Sequence, residues 1–326
     1  FYGGEPLLEW PLITKCIEYA KMRTEGKEVT FSMTTNATLL TREIAETIVK
    51  ERMQVLISLD GPPEIHDRNR RFHADGRGTF STIMETLQKM SEEVEGFAET
   101  LRFNSVIDPC NSPACISNFF KEIKQENVTP SNLEPPPGTR LSYSKQYMRE
   151  FNRSDFYGYL SLMGIVRDDQ LDMFSNNFVR NYSSKRDTMI PYSELPDTTS
   201  HSGPCLAGIK RLFVDVDGTF FPCEKCSESS GSMRLGDIKT GLDLERVKGL
   251  INIAALTENR CKNCWAMLSC NICAAQMSGV EELSAKTVLP LCAGSRSSAE
   301  LQLKQFILME EVSEMARAFR EREGKQ

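Results

Sequence analysis

Apolar positions in the first 130 residues follow two alternating spacings. Short runs of β-branched and aromatic residues predict strands at 29–34, 55–59 and 101–107. Apolar residues at helical spacing predict the neighbouring helices at 8–24, 42–50, 79–93 and 116–125. A strand–helix unit that repeats about every thirty residues predicts an α/β fold, in which outer helices cover a parallel sheet.

Polar residues lie where the predicted strands end. Asn36 follows the first strand, Ser58 and Asp60 close the second, and Asn104 lies within the third. Ligands of parallel sheets bind at the carboxyl ends of the strands, so these side chains are candidates for one shared site. The opening segment 3–6 is Gly-Gly-Glu-Pro, in which the glycines allow a ligand to approach closely, although alone it is typical of a turn before a helix.

The pattern changes after residue 128. Several prolines and many Ser and Asn residues predict a linker, and helical spacing returns at 143–163 and 170–183. Residues 209–222 predict a hairpin that turns at Asp217-Gly218, and an amphipathic helix is expected over 298–322. We therefore expect an α/β domain, a bridging segment of helices, a cysteine-rich domain and a C-terminal helix, at 1–130, 131–200, 201–297 and 298–326.

Charge and hydropathy exclude two classes of protein. The net charge is −6 and there is no block of Lys and Arg residues, which argues against a general nucleic-acid binder. No apolar run is long enough to span a membrane, and no signal peptide is present. We therefore expect a cytoplasmic protein whose cysteines are reduced. The chain also begins at Phe1 and within a motif, so we expect it to be a fragment of a longer protein.

Cysteines distinguish the second half of the chain. Eight of the eleven lie between residues 205 and 292. Such a density indicates disulfides or a metal site, and the missing secretory signal favours metal. The count alone fits two zinc ions as well as two iron–sulfur clusters. We expect the other three to bind no metal, with Cys16 on the buried stripe of the first helix and Cys110 and Cys115 in a loop.

The spacing of these cysteines carries a resemblance. Cys205-x12-Gly-x4-Cys223, then Cys261-x2-Cys264-x5-Cys270-x2-Cys273, then Cys292 resembles the SPASM domain of radical S-adenosylmethionine (SAM) peptide-modifying enzymes, although the last short spacing is one residue shorter than in the family. The sequences Gly-Gly-Glu-Pro at 3–6, Thr-Asn-Ala-Thr-Leu-Leu at 35–40 and Ser-Leu-Asp-Gly-Pro at 58–62 are similar to motifs of the same family's barrel. The resemblance implies a partial (β/α) radical SAM barrel followed by a SPASM domain.

The resemblance also implies roles for individual residues. Gly3, Gly4 and Glu5 would contact the SAM amino group, with Asn36 nearby. Ser58 and Asp60 would face its ribose and carboxylate, for which Arg70 is a further candidate. One 4Fe–4S cluster would take Cys205, Cys223, Cys226 and Cys273, and a second would take Cys261, Cys264, Cys270 and Cys292. Glu224 stands where sulfatase-maturating relatives carry an Asp base, which makes it a candidate catalytic residue, although a solvated surface carboxylate is an equally good interpretation.

Within this family the chain is most similar to oxidoreductases that form Cys thioether crosslinks through a 5′-deoxyadenosyl radical, as in ranthipeptide maturation. Such an enzyme implies a Cys-containing, ribosomally made precursor peptide and an electron donor such as flavodoxin or ferredoxin. The SAM-cleaving cluster would need a Cys-x3-Cys-x2-Cys motif, which the sequence lacks and which we expect upstream. Two alternatives are a sulfatase-type maturase that generates formylglycine and a zinc-binding peptide scaffold without chemistry.

Overall fold

A computed structural model describes residues 1–133, 141–188 and 210–323, together with Leu206 and Gly208. The chain divides into two compact units. Unit 1 comprises Phe1–Met189 and Val312–Gln326, and unit 2 comprises Ile190–Glu311.

Unit 1 is built on a parallel sheet with the strand order β1-β2-β3-β4. Its strands are β1 Ser32–Thr35, β2 Gln54–Ser58, β3 Leu101–Ile107 and β4 Val128–Asn132. The α-helices among its described residues are α1 Trp10–Arg23, α2 Arg42–Lys50, α3 Pro63–Asn69, α4 Phe80–Glu93, α5 Phe97–Thr100, α6 Pro113–Glu122, α7 Lys145–Leu162 and α8 Met173–Thr188. The expected α/β fold with a parallel sheet is confirmed.

The core of unit 1 lies between the sheet and its helices. Alternate residues of β3 are buried, and every second residue of β2 is buried in the same way. The side chains that helices and strands bury completely include Met33, Ile57, Ile83, Phe103 and Phe120. This packing fixes the strand ends, because a shift of one residue in register would move each apolar side chain to the other face.

Several predicted elements have the expected bounds. The helix at 42–50 and the strand at 101–107 match α2 and β3, and Thr41 caps α2 by accepting a hydrogen bond from the Ile44 amide. The expected linker after residue 128 was wrong at its start, because residues 128–132 form β4 beside β3. Pro130 lies in that strand. Since β4 is the edge strand in the sheet order, one side of it needs no backbone donor.

Unit 2 contains a small antiparallel sheet with the order β5-β6-β7-β8. Its strands are β5 Phe213–Val214, β6 Thr219–Phe221, β7 Gly236–Asp237 and β8 Gly241–Leu242. The expected hairpin is confirmed by β5 and β6, whose turn includes Gly218 at a φ of 81°. The later helices are α9 Leu244–Ile251, α10 Glu258–Cys261, α11 Ala285–Val288 and α12 Cys292–Glu323. The residues of α12 from Val312 onward belong to unit 1.

Short 3₁₀ helices connect the regular elements of both units. In unit 1 they are Pro6–Glu9 and Asp168–Gln170. In unit 2 they are Gly231–Met233, Ile253–Thr257, Met267–Ser269, Ala274–Met277 and Leu289–Leu291. Cys270 and Cys273 of unit 2 therefore lie directly beside such single turns.

Two cysteines lie where the sequence did not place them. Cys16 is exposed on α1, whereas its neighbours on the helix, Ile13 and Ile17, are buried, so the prediction of a core position was wrong. Cys115 was expected in a loop but lies in the first turn of α6, where Ser112 accepts a hydrogen bond from its amide. Cys110 lies in the exposed turn before that helix, as expected. In the part of the chain that the structure describes, no helix is long and apolar enough to cross a membrane.

We expect Gly158→Ala to destabilise unit 1 by about 1–2 kcal/mol in urea unfolding, because its methyl group would collide with the Phe178 ring where α7 packs on α8. The collision must outweigh the helix preference of alanine over glycine, about 1 kcal/mol. In a Phe178→Ala background the same substitution should become neutral or stabilising. Equal destabilisation in both backgrounds would contradict the packing explanation.

Candidate functional site

The Glu5 carboxylate joins two of the sequence motifs. Its Oε1 accepts hydrogen bonds from the Thr35 hydroxyl at 2.6 Å and the Leu7 amide at 3.1 Å. Its Oε2 accepts from the Asn36 amide at 2.8 Å. A carboxylate has about four acceptor positions, so three protein donors leave room for one more. Glu5 therefore fixes the N-terminal segment against the end of β1.

The turn after β1 has a defined conformation. Ala37 is buried with a φ of 60°, a left-handed conformation that is uncommon for residues other than glycine. Two local contacts stabilise it: the Thr35 hydroxyl accepts from the Ala37 amide, and the Asn36 side chain accepts from both the amide and the hydroxyl of Thr38. The side-chain oxygen of Asn36 is therefore used within its own turn.

Asp60, directly after β2, is buried and forms a two-point ion pair with Arg70. The guanidinium donates from Nε at 2.7 Å and from an Nη at 3.0 Å, one bond to each carboxylate oxygen. Asp60 also accepts from the Val106 amide of β3, and its backbone carbonyl accepts from the buried Ser105 hydroxyl. Two of the predicted SAM-binding side chains thus bind each other and tie the end of β2 to β3.

His66 completes a buried hydrogen-bond chain behind this ion pair. Its Nδ1 accepts from the Asp60 amide at 3.2 Å, and its Nε2 lies 2.9 Å from the Thr79 hydroxyl. Because Nδ1 accepts, the neutral ring carries its proton on Nε2 and donates it to Thr79, whose hydroxyl in turn donates to the Arg70 carbonyl. Burial lowers the pKa of His66, against the opposing effect of the Asp60 carboxylate.

Sequence reasoning missed His66, Thr79 and Ser105 as parts of this site. His66 lies in α3, a helix that was not predicted, and the side chain is completely buried. The sequence signal was present in the two prolines that open α3, since Pro is favoured in the first helical turn.

The remaining predicted residues of unit 1 lie at the same edge of the sheet. Ser58 ends β2, opposite Asn104 of β3 in the parallel register. Gly3 and Gly4 are exposed, and a Cβ atom built on either would have no protein atom within 4 Å. Contacts with neighbouring side chains of the described chain therefore do not explain why glycine occupies these two positions.

Four thiols of unit 2 line a single cavity of about 510 Å³. Trp265, Arg260 and Arg296 contribute to the same wall. The four cysteines are those expected to hold one cluster, Cys261, Cys264, Cys270 and Cys292. Burial, followed by the neighbouring Cys261 and Cys270, raises the pKa of Cys292, while Arg296 opposes the increase.

The second cysteine set is described only in part, because Cys205 lies outside the described residues. The sulfurs of Cys223 and Cys226 are 4.0 Å apart in the core of unit 2, where the Cys226 amide donates to the Cys223 carbonyl. Burial, with the nearby Cys223 as the next cause, raises the pKa of Cys226 to about 12, and Cys273 contributes to the same increase. Two further expected ligands, Cys223 and Cys273, therefore lie within electrostatic range of Cys226.

The donor chemistry of both sets fits a thiolate-bound metal centre. The structure forms no disulfide among its described cysteines. Within the same residues, no group of three or more His, Cys, Asp or Glu side chains is arranged to hold a metal ion. The four thiols of the first set line one space, and thiolates bind either zinc or an iron–sulfur cluster.

Glu224, the candidate base, is half-buried beside Cys223. Its carboxylate lies 3.8 Å from the guanidinium of Arg211, which is itself half exposed. A separation of this length is a weak ion pair at a partly solvated position. Glu224 is exposed enough to accept a proton. An ordinary surface carboxylate has the same exposure, so exposure does not distinguish the two interpretations.

Comparison with known proteins gives a match for the N-terminal part of the chain. Residues 1–102 match the sequence model of the Radical SAM superfamily. The radical SAM cyclopropyl synthase TigE of Paramaledivibacter caminithermalis is 24% identical over 83% of this chain and 52% of its own length. The serine-type anaerobic sulfatase-maturating enzyme of Bacteroides thetaiotaomicron is 34% identical over 38% of this chain and 29% of its own length. The chain thus matches about half of the first protein and less of the second.

A solved structure shares the fold. Native anSMEcpe with bound AdoMet and the Kp18Cys peptide superposes with a TM-score of 0.62 over 98% of this chain and 84% of that chain. The sequence identity is 19%, so the likeness concerns the fold alone. It agrees with the α/β architecture and the parallel sheet described above.

We expect His66 to make unit 1 lose stability on acidification. A histidine with a lowered pKa binds fewer protons when folded, so its contribution is complete above about pH 6.5 and is lost as the pH falls below that value. The free energy of unfolding should fall more between pH 7 and pH 5 in the wild type than in His66→Gln. His73→Gln, which changes an exposed histidine, is the control. Parallel pH profiles for the wild type and His66→Gln would refute the assignment.

Proposed function

We propose that this chain belongs to the Radical SAM superfamily, is related to peptide and sulfatase maturases, and is a peptide-modifying enzyme that binds SAM in unit 1 and two 4Fe–4S clusters in unit 2. The observation that carries the proposal is the cavity of unit 2, which gathers the four thiols that the family resemblance assigns to one cluster. The family match of residues 1–102 supports the SAM site.

The proposed SAM site lies at the carboxyl edge of the sheet. Gly3 and Gly4 would present their backbone to the amino group of SAM, and Glu5 would use its remaining acceptor position for the same group. Ser58 and the Asp60–Arg70 ion pair would face the ribose and the carboxylate. Arg70 already gives two donors to Asp60, so it would contact the ligand only with its other N–H groups. Asn36 would act mainly by shaping the turn after β1.

The proposed clusters would be held by the two sets of four cysteines. Cys261, Cys264, Cys270 and Cys292 would hold one cluster in the cavity, and Cys205, Cys223, Cys226 and Cys273 the other. Raised pKa values at Cys226 and Cys292 describe thiols without metal, and binding would displace those protons. Such clusters, when bound, supply one-electron transfer or a ligand site for a substrate thiolate.

We propose that the substrate is a ribosomally made, Cys-containing peptide and that the product is a thioether crosslink. The radical derived from SAM would remove hydrogen from a peptide carbon, after which a substrate thiolate would bond to that carbon. The one electron released in this step would be taken up by one of the two proposed clusters. The SAM-cleaving cluster is not assigned to this chain, because no Cys-x3-Cys-x2-Cys occurs in its 326 residues. A flavodoxin or ferredoxin is the proposed electron donor, and the cytoplasm the proposed location.

A second candidate is a formylglycine-generating maturase of the sulfatase type. It is favoured by the 34% identity to a sulfatase-maturating enzyme and by Glu224 beside a cluster cysteine, where it could accept a proton. The peptide product separates the two candidates. A thioether loses two hydrogens and uses up a cysteine thiol. Formylglycine from cysteine loses the sulfur, and formylglycine from serine loses two hydrogens but leaves the cysteine thiols free for alkylation. A zinc-binding scaffold, the third alternative, would produce neither change.

We expect Gly4→Ala to weaken SAM binding at least tenfold without changing the thermal unfolding midpoint. A methyl group at this position meets no protein atom, so only a ligand that approaches the backbone would collide with it. Equilibrium binding of SAM would be measured beside Gly249→Ala, a matched substitution in α9 that also has free space around it. Unchanged SAM affinity in Gly4→Ala would argue against the proposed contact.

Anaerobic reconstitution should load about eight irons and eight sulfides per chain, from two 4Fe–4S clusters. The double substitution Cys261→Ala/Cys264→Ala should lower the content to about four of each, because one cluster loses two ligands. Cys16→Ala/Cys110→Ala, which changes two exposed cysteines outside both sets, should leave it unchanged. Two zinc ions per chain without cluster absorbance would instead identify the zinc scaffold.

A further inference from the structure

We propose that the hydroxyl groups of Thr257 and Ser295 donate hydrogen bonds to the sulfurs of Cys261 and Cys270 and thereby raise the reduction potential of the cluster in the cavity of unit 2. The inference rests on the proposed function, since it concerns the metal centre assigned there. It adds two residues that lie outside the cysteine pattern.

The Ser295 hydroxyl is oriented by a second contact. Its oxygen accepts a hydrogen bond from the Asn271 amide at 3.2 Å, and it lies 3.5 Å from the Cys270 sulfur as donor. Because the backbone amide approaches the oxygen, the hydroxyl proton is left to point at the sulfur. Ser295 is 6% exposed on α12, so water does not compete for that proton.

Thr257 provides the corresponding contact to the other sulfur. Its hydroxyl lies 3.3 Å from Cys261, which is one turn further along the chain, and the residue is 7% exposed. Between a hydroxyl and a thiol, either group could donate. A metal-bound cysteine carries no proton, so the Thr257 hydroxyl must then be the donor. Both residues also line the cavity that holds the four thiols.

The expected consequence is a shift in redox poise. Hydrogen bonds to cluster sulfurs, together with net charge and solvent exposure, set the potentials of iron–sulfur clusters. A donor stabilises the reduced cluster more than the oxidised one, because reduction adds negative charge to the sulfurs. Two donors from buried residues, on two of the four sulfurs, therefore make this cluster easier to reduce.

The test is a redox titration of the reconstituted full chain, followed by electron paramagnetic resonance. Ser295→Ala and Thr257→Val should each lower the ratio of reduced to oxidised cluster at a fixed potential by about fivefold, the effect of one hydrogen bond. The double variant should lower this ratio further. Of the two clusters, only one should change its reduction potential. Ser295→Thr and Thr257→Ser keep the hydroxyl and should retain the wild-type potential. Ser297→Ala, at an exposed position on the same helix, is the matched control.

The outcomes separate the inference from the proposed function. Clusters that load fully in the Ala and Val variants without a change in potential would overturn the inference and leave the function standing. A wild-type chain that assembles no cluster would overturn both. Should the Ala and Val variants load no cluster, the reduced wild type decides the question in deuterated buffer. A proton hyperfine coupling that is present in ordinary buffer and lost in deuterated buffer would support the hydroxyl donors. If no such coupling is present in ordinary buffer, the hydroxyl donors are overturned.

Discussion

Burial of the Asp60 carboxylate is the constraint on which the edge of the parallel sheet depends. A buried carboxylate is costly unless charge and hydrogen-bond donors compensate it, and here both are present. Arg70 provides the charge through two hydrogen bonds, and the Val106 amide of β3 provides a further donor. The chain between Asp60 and Arg70 must therefore return to the sheet. It does so through α3, whose His66 binds the Asp60 amide.

Glu5 repeats this arrangement at the neighbouring strand. Its carboxylate accepts from Thr35 and Asn36 at the end of β1, about thirty residues away in sequence. Glu5 and Asp60 thus each connect a strand end to a segment from elsewhere in the chain. Such ties hold backbone and side-chain groups at one edge of the sheet without a ligand, which is the preorganisation that a binding site requires.

The sequence predicted the elements whose signals are local. The helix α2 has a capping residue and a clear apolar stripe, and β3 alternates apolar and polar residues, so both were found with their bounds. Strand β4 was missed because Pro130 argues against a strand unless one edge is known to be unpaired. Cys16 was misplaced because it borders the buried stripe, and the stripe's width depends on what packs against α1. Local pattern does not contain that information.

The candidate site likewise combines features that the sequence predicted with features that it did not. The resemblance to family motifs identified Glu5 and Asp60 and gave Arg70 as a further candidate, but not that Asp60 and Arg70 bind each other or that Glu5 is satisfied mainly by the chain itself. Those pairings depend on how α3 and the N-terminal segment return to the edge of the sheet, which local sequence does not define. The cysteine spacing likewise grouped four thiols that the structure brings to one cavity, whereas Thr257 and Ser295 carry no sequence signal, because Ser and Thr occur throughout the chain.

The two units differ in how they can remain folded. Unit 1 has a continuous apolar core under a four-stranded sheet. Unit 2 has strands of two or three residues, many single turns, and a core that includes the thiols of Cys223 and Cys226. A buried, protonated thiol packs as a small apolar side chain, whereas thiolates on a metal centre would crosslink the turns that carry them. In the proposed function, metal binding and the folding of unit 2 are therefore one equilibrium, while unit 1 folds on its apolar core.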